Sequence, residues 1–319
     1  MLQHPPTRIY RNWVADSRRW DAYRPRAGDV VIATYPKSGT TWMQQIVSLL
    51  IFQSTAPRPI AEIAPWFEMR ALARPAEAIM ADLDAQTQRR FIKCHVPFDG
   101  MPIYDEVKYI HVARDGRDAC LSYHNHCLAF GEPILAAFDD IGLADETIRQ
   151  TYPRAPSDAS AFFLRWLNEG IGGELDGSPF GSWFSFEKTF WAARAVPNVL
   201  MVHYRDLKSD LVTEMRRIAT FLDISVPRDL WPDLVNAATF AEMRRVGSVL
   251  QPTIERVLVG GASRFFQYGE NDRWNGVLTS ADIELYEDRV RRSFEPDCAA
   301  WLHHGRHAHL SHSHQQPDD

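Results

Sequence analysis

The stretch Asp29-Val-Val-Ile-Ala-Thr-Tyr-Pro-Lys-Ser-Gly-Thr-Thr-Trp42 permits few local structures. Val30 to Ala33 is a β-branched run suited to a buried strand. Pro36 and Gly39 break that run, and Trp42 to Phe52 then takes up helical spacing. A strand, a tight turn and a helix therefore follow one another. Such a turn presents successive backbone N–H groups and a helix N-terminus, an arrangement that suits phosphate or sulfate. Lys37 adds a mobile positive charge beside the hydroxyls of Ser38, Thr40 and Thr41. The stretch reads as an anion cradle.

A chain of 319 residues, 45% hydrophobic and 24% charged, can bury a large core, and one domain over residues 1–300 is expected. The net charge of −6 argues against a general nucleic-acid or anionic-membrane surface and leaves a small molecule as the expected partner. The oligomeric state stays open, a homodimer included. Cys94, Cys120, Cys127 and Cys298 lack regular pairing and read as reduced thiols. No apolar run reaches the ~18 residues of a membrane span. The first residues lack a charged-then-apolar signal pattern, so a cytoplasmic location is expected.

Further along, helical spacing over 76–85 leads into a short strand within Arg89 to Pro97. Val107 to Ala113 reads as another buried strand, followed by a turn at Arg114 to Asp118 and a helix over Ala119 to Phe130. Val199 to Tyr204 is a further strand, and helices are expected over 211–222, 237–245 and 280–294. Repeated β–α alternation predicts an α/β fold: a central parallel sheet of about five strands flanked by helices, with ligands at the carboxyl ends of the strands. Trp13, Trp20 and Tyr23 should anchor an irregular N-terminal arm. Residues 131–180, broken by scattered prolines and glycines, read as an irregular insertion serving as a lid or acceptor-pocket wall. The His-rich tail 303–319 reads as disordered and outside the function. Cys120, His124 and Cys127 fall at helical spacing, but burial in the core is the preferred reading over a metal site.

The cradle is not the nucleotide-triphosphatase loop, which needs Gly-x4-Gly-Lys-Ser/Thr with lysine after the last glycine. Here Lys37 precedes Ser38-Gly39 and the first glycine is missing. Tyr35-Pro-Lys-Ser-Gly-Thr-Thr-Trp42 instead resembles the 5′-phosphosulfate loop of the cytosolic-type sulfotransferases, which use 3′-phosphoadenosine 5′-phosphosulfate (PAPS). The resemblance spans roughly residues 28–125 and 181–285. It implies a three-layer α/β/α architecture of the phosphate-loop type and in-line transfer of a sulfuryl group from PAPS to a hydroxyl, with adenosine 3′,5′-bisphosphate (PAP) as product. The chemistry requires no metal.

Lys93-Cys-His-Val-Pro97 resembles the family element Lys-Thr-His-x-Pro, with Cys94 in place of Thr. The resemblance makes His95 the general base and Lys93 its neighbour at the transferring group; imidazole titrates near working pH, which suits the task. Lys37 is implied to stabilise the leaving group. Arg114 and Ser122 match the family's 3′-phosphate element, while Arg117 and Asp118 are expected to form a local ion pair that shapes the turn. Trp42, Tyr204 and the segment from Thr239 to Met243 resemble the adenine site.

The third family signature, Phe-Phe-Arg-Lys-Gly-x-x-Gly-Asp-Trp, reads here Phe265-Phe-Gln-Tyr-Gly-Glu-Asn-Asp-Arg-Trp274. Gln267 and Tyr268 stand where the family has an Arg-Lys pair next to Gly269, so two cations are missing, and Arg264 or Arg273 are the nearby substitutes. Trp66, Phe67 and Phe98 are candidate acceptor walls, favouring a small, partly apolar hydroxylated acceptor: a phenol, an alcohol or a glycolipid-like molecule. Two alternatives stand beside this reading, a phosphate-loop phosphotransferase or nucleotide hydrolase, and a PAP- or PAPS-binding homologue without catalysis.

Overall fold

The computed structural model describes residues 1–71, 74–169 and 181–306. Six strands are β1 (Leu2–His4), β2 (Val30–Ala33), β3 (Phe91–Cys94), β4 (Ile103–Tyr104), β5 (Lys108–Ala113) and β6 (Val199–His203). Four of them form one parallel sheet in the order β3-β2-β5-β6. β1 and β4 pair antiparallel in a small separate ribbon. The main sheet thus has four strands among the described residues rather than about five. Beside its β3 edge, Trp66 makes a single parallel bridge to Lys93, an extra strand begun but not continued.

Helices cover both faces of the sheet, so its strands are mostly apolar without alternation, Val30–Ala33 wholly so and buried throughout. Period-2 geometry still divides them. Val30, Ile32, Ile110 and Val112 pack with helices Thr40–Phe52 and Leu211–Phe221 on one side. Val31, Ala33, Ile92, Cys94 and Tyr109 pack with helices Ala76–Ala85, Ala159–Glu169 and Trp183–Ala192 on the other. The result is the expected three-layer α/β/α arrangement.

Residues 131–169 are irregular only over 145–158; helices Glu132–Ala144 and Ala159–Glu169 flank that stretch, and Pro133 sits in the first turn of the former, where its missing N–H costs nothing. Ile134 and Phe138 anchor a third core with Trp13, Phe130, Tyr152 and Leu258. Residues 170–180 of the expected lid, and 307–319 of the expected tail, lie outside the described residues. His303 and His304 close the helix Pro296–His304.

The N-terminal arm is tied down as expected, with Trp13, Trp20 and Tyr23 all buried. Its strongest fastening is Asp29, at the entry to β2. The carboxylate accepts from Arg90 Nε at 2.8 Å, from Arg90 Nη2, from the Tyr23 hydroxyl at 2.7 Å and from the Arg26 N–H at 2.9 Å. Both charges are about 1% exposed. Removing one partner of a buried pair leaves the other uncompensated. Asp29→Ala should therefore lower unfolding free energy by ~3 kcal/mol in urea titration; a loss below ~1 kcal/mol would mean that the half-exposed Asp84 alone compensates Arg90.

Candidate active site

Parallel register builds the site. Ala33 pairs with Cys94 on one side and His111 on the other, and Ala113 pairs with His203, so all four strands finish at one edge of the sheet, β5 and β6 two residues beyond β2 and β3. The residues immediately after the strand ends are Thr34, His95, Arg114 and Tyr204. Three of these, His95, Arg114 and Tyr204, line one cavity, at the carboxyl edge where open α/β sheets hold ligands.

The cradle follows β2. Lys37 and Gly39 adopt positive φ of 70° and 107°, and Thr34 and Thr40 share a hydroxyl hydrogen bond of 2.6 Å across the turn. Gly39 is required here: a Cβ would meet the Tyr204 ring at 2.9 Å. Lys37, Gly39, Thr40, Thr41 and Trp42 line the cavity. Ser38 is buried behind the turn instead, and its Oγ has no hydrogen-bond partner; nor does the buried Nε of Arg114.

Lys37 lies 4.5 Å over the Phe265 ring and Lys93 4.3 Å over Trp66, and both amines face the cavity. Burial, then the charges of Lys93 and Arg114, lower the Lys37 ammonium to about 7. Burial lowers Lys93 to about 8 against the opposing pull of Glu68. His95 donates from Nδ1 to the Thr34 carbonyl at 2.7 Å, which places the ring's lone pair on Nε2. Burial and then Lys93 hold its pKa well below the usual imidazole range, so the ring is neutral at pH 7.

Arg114 stacks 4.3 Å over Tyr204 and donates to the carbonyls of Lys37 at 3.1 Å and Glu270 at 2.6 Å, joining the cradle to the loop of the third signature. Ser122 reaches the cavity from helix Gly116–Cys127. Trp42 packs edge-on to Tyr204 at 5.2 Å and donates to the Ala238 carbonyl. Arg117 and Asp118 do not pair with each other. Arg117 binds Asp115 at 2.6 Å and stacks 3.9 Å over Trp274, while Asp118 accepts the N–H groups of Asp272 and Arg273. Neighbours along a helix do not face one another, which explains the difference.

The family model described as "Sulfotransferase domain" matches residues 27–297. A glycolipid sulfotransferase of Mycobacterium tuberculosis is 35% identical across 95% of this chain and 97% of its own length. The chain belongs to the sulfotransferase family. As a sulfotransferase it shares its fold with mouse sulfotransferase SULT7A1 complexed with PAP, at 19% identity, TM-score 0.63 and coverage of 89% and 90% of the two chains. It also shares it with retinol dehydratase in complex with androsterone and PAP, at 20% identity, TM-score 0.69 and coverage of 88% and 87%.

The sulfotransferase departs from the sequence expectation at several positions. Phe67 is wholly buried against Trp20 and Tyr23, and Phe98 packs on Phe190; neither lines the cavity. Thr239 caps the helix Phe240–Arg245 and also stays outside, whereas Phe240 and Met243 line the wall. Trp66, Gln267, Tyr268 and Gly269 do line it. Gln267 accepts from Asn125 at 2.8 Å, and Tyr268 carries the Arg273 guanidinium 3.4 Å above its ring. Arg264 and Arg273 both reach the cavity.

Several residues of the site went unseen in the sequence, among them Asn125, His126 and Leu258, and Glu68 behind it. His126, one turn beyond Ser122, lines the same cavity, with its ring against Phe130 and Phe265. The i, i+4 spacing from Ser122 was the available signal. Glu68, behind the cavity, accepts the His95 N–H; a carboxylate beside two large aromatics was its faint mark. Of the helical trio, Cys120 is buried, His124 donates to the Pro156 carbonyl at 2.7 Å, and Cys127 lies 3.9 Å from the Tyr152 hydroxyl.

Proposed function

We propose that the cavity binds PAPS and passes its sulfuryl group to a hydroxyl of a partly apolar, glycolipid-like acceptor, with His95 as general base. The observation that carries this reading is the state of His95. Its Nδ1 proton is committed to Thr34, its Nε2 bears the lone pair, and the ring is neutral while two ammonium groups share its cavity. A neutral base beside fixed cations is what proton removal and leaving-group stabilisation require.

The residues present also fit an anionic nucleotide. Arg114, which lines the cavity, keeps a buried Nε without a partner, beside a turn whose positive φ values open it toward an anion. PAPS supplies the activated sulfuryl group; the chain supplies position, proton transfer and charge. His95 Nε2 takes the acceptor's hydroxyl proton. Lys37 and Lys93 neutralise charge on the transferring and departing oxygens, and the cradle residues Gly39, Thr40 and Thr41 hold the 5′ end. Arg114 and Ser122 hold the 3′-phosphate, with Arg273 and Arg264 in place of the cations missing at Gln267 and Tyr268. Trp42, Tyr204 and Phe240 flank the base. Trp66, Leu258, Phe265 and His126 give the acceptor side an apolar wall with one polar group, and the glycolipid sulfotransferase relative supports a lipid-borne hydroxyl.

Incubation with sulfur-35 PAPS and a panel of glycolipids, phenols and alcohols tests the reading. Transfer should occur, and His95→Asn should cut it by ~10²–10⁴ while PAP still binds in calorimetry. A His95→Asn enzyme with undiminished turnover would remove the base assignment, and PAP binding without any transfer would favour a non-catalytic pocket.

The lysines make donor binding pH-dependent. Their ammonium groups ionise near 7 and 8 in the free protein, and a bound phosphate raises both values. Affinity for PAP is therefore full below about pH 7 and falls as pH rises through the two free-state values, with protons taken up on binding in that window. Calorimetry in buffers of different ionisation enthalpy reads this uptake; an affinity flat from pH 6 to 9 would contradict it.

Arg273→Ala should weaken PAP by ~1.5–3 kcal/mol, the value of a hydrogen bond to a charged group. Gln267→Ala should cost less, and equal losses would place the phosphate elsewhere.

A further inference from the structure

Glu68 is fully buried and does not line the cavity, yet it touches what does. Its Oε1 accepts the backbone N–H of His95 and, at 2.6 Å, the indole N–H of Trp66. Its Oε2 accepts the indole N–H of Trp20 at 3.2 Å. Trp66 in turn stands edge-on to the His95 ring at 4.8 Å and carries Lys93 above its face. The backbone repeats the link: Lys93 N–H donates to the Pro65 carbonyl at 3.0 Å, and Trp66 bridges to Lys93 in parallel. One carboxylate thus fastens the imidazole's own backbone and the aromatic ring that both His95 and Lys93 touch.

We propose that Glu68 is a positioning residue for sulfuryl transfer, holding His95, Trp66 and Lys93 in register from behind the cavity. This rests on the assignment of His95 and Lys93 to the reaction. The carboxylate also supplies the negative charge nearest Lys93 within the wall, and that charge raises the lysine's pKa against burial. The other titratable or charged groups facing Glu68 are Cys94 and His95 at the end of β3 and Arg19 of the arm. A cavity built for anions would bind them more tightly without a carboxylate close by, so its retention there is a cost to binding that a role in turnover would offset.

Two substitutions separate the roles: Glu68→Leu removes both bonds to Oε1 together with the charge, and Glu68→Gln keeps those bonds and removes the charge alone. Only the longer contact at Oε2 would face donor to donor, and the double variant Glu68→Gln with Trp20→Phe removes that conflict. The expected result is a fall in kcat of about tenfold or more in Glu68→Leu and a smaller fall in the two Gln variants, with PAP affinity by calorimetry unchanged or tighter in all three. Lys93 must be protonated to act, so turnover is present below its pKa and lost above it. Without Glu68 that edge of the pH–rate profile moves to lower pH. Unchanged kcat and an unmoved edge would overturn the proposal. So would losses of kcat, PAP affinity and thermal stability in parallel, which would make Glu68 a fastening of the fold alone. Wild-type enzyme that binds no PAP and transfers no sulfur-35 would instead overturn the reading on which the proposal rests.

Discussion

Lys37, Lys93 and Arg114 converge on one hollow largely shielded from water, and a concentration of like charge there is unfavourable before any anion arrives. The fold offsets it with aromatic faces. Lys37 rests over Phe265, Lys93 over Trp66, Arg114 over Tyr204 and Arg273 over Tyr268, all within 4.5 Å. Each such contact contributes about 0.5–2 kcal/mol and leaves the cation's remaining N–H groups for a ligand. Burial holds the two ammonium groups near 7 and 8, with the charges of Lys93 and Arg114 adding to the effect at Lys37. Burial, and then the charge of Lys93, keeps His95 unprotonated in the same hollow, so one environment holds a neutral imidazole beside cations.

That environment exists because the strands end at one edge of the sheet. A slip of one residue in the pairing of β2 with β3 would turn every side chain to the opposite face. The sequence revealed this part well: short β-branched runs mark the strands, and the groups that matter, His95, Arg114 and Tyr204, come directly after them. Local pattern carries less in turns. Trp66 and Phe67 look alike as candidates, but Trp66 opens a turn in which the Met69 N–H donates to its carbonyl, and Trp66 lines the cavity while Phe67 enters the core. Glu68, in the same turn, accepts the Trp66 indole N–H.

Residues 131–169 misled for a different reason. Proline and glycine were read as breaks, although proline is at home in a helix's first turn, and the short apolar groups between them are helical stripes. Leu258 and Asn125 were placed by contacts that no local window contains. The cavity gathers segments more than a hundred residues apart, so spacing alone can nominate its members without joining them.

The third signature shows what such a site can change and what it must keep. Gln267 and Tyr268 replace cations, yet the loop is held by groups that do not touch the cavity's contents. Asp118 accepts two of its backbone N–H groups, Arg117 packs on Trp274, and Arg205 pairs with Asp272 at 2.6 Å. With the backbone fixed in this way, an arginine six residues beyond Gln267 can reach the same hollow, and the tyrosine that displaced a cation becomes the surface on which the new one rests. Where a cation can stand in this cavity is thus constrained by where the backbone is anchored more than by which residue of the motif bears it. Loss of a family's cations at their usual positions is then weak evidence for loss of the ligand, provided the loop's anchors remain.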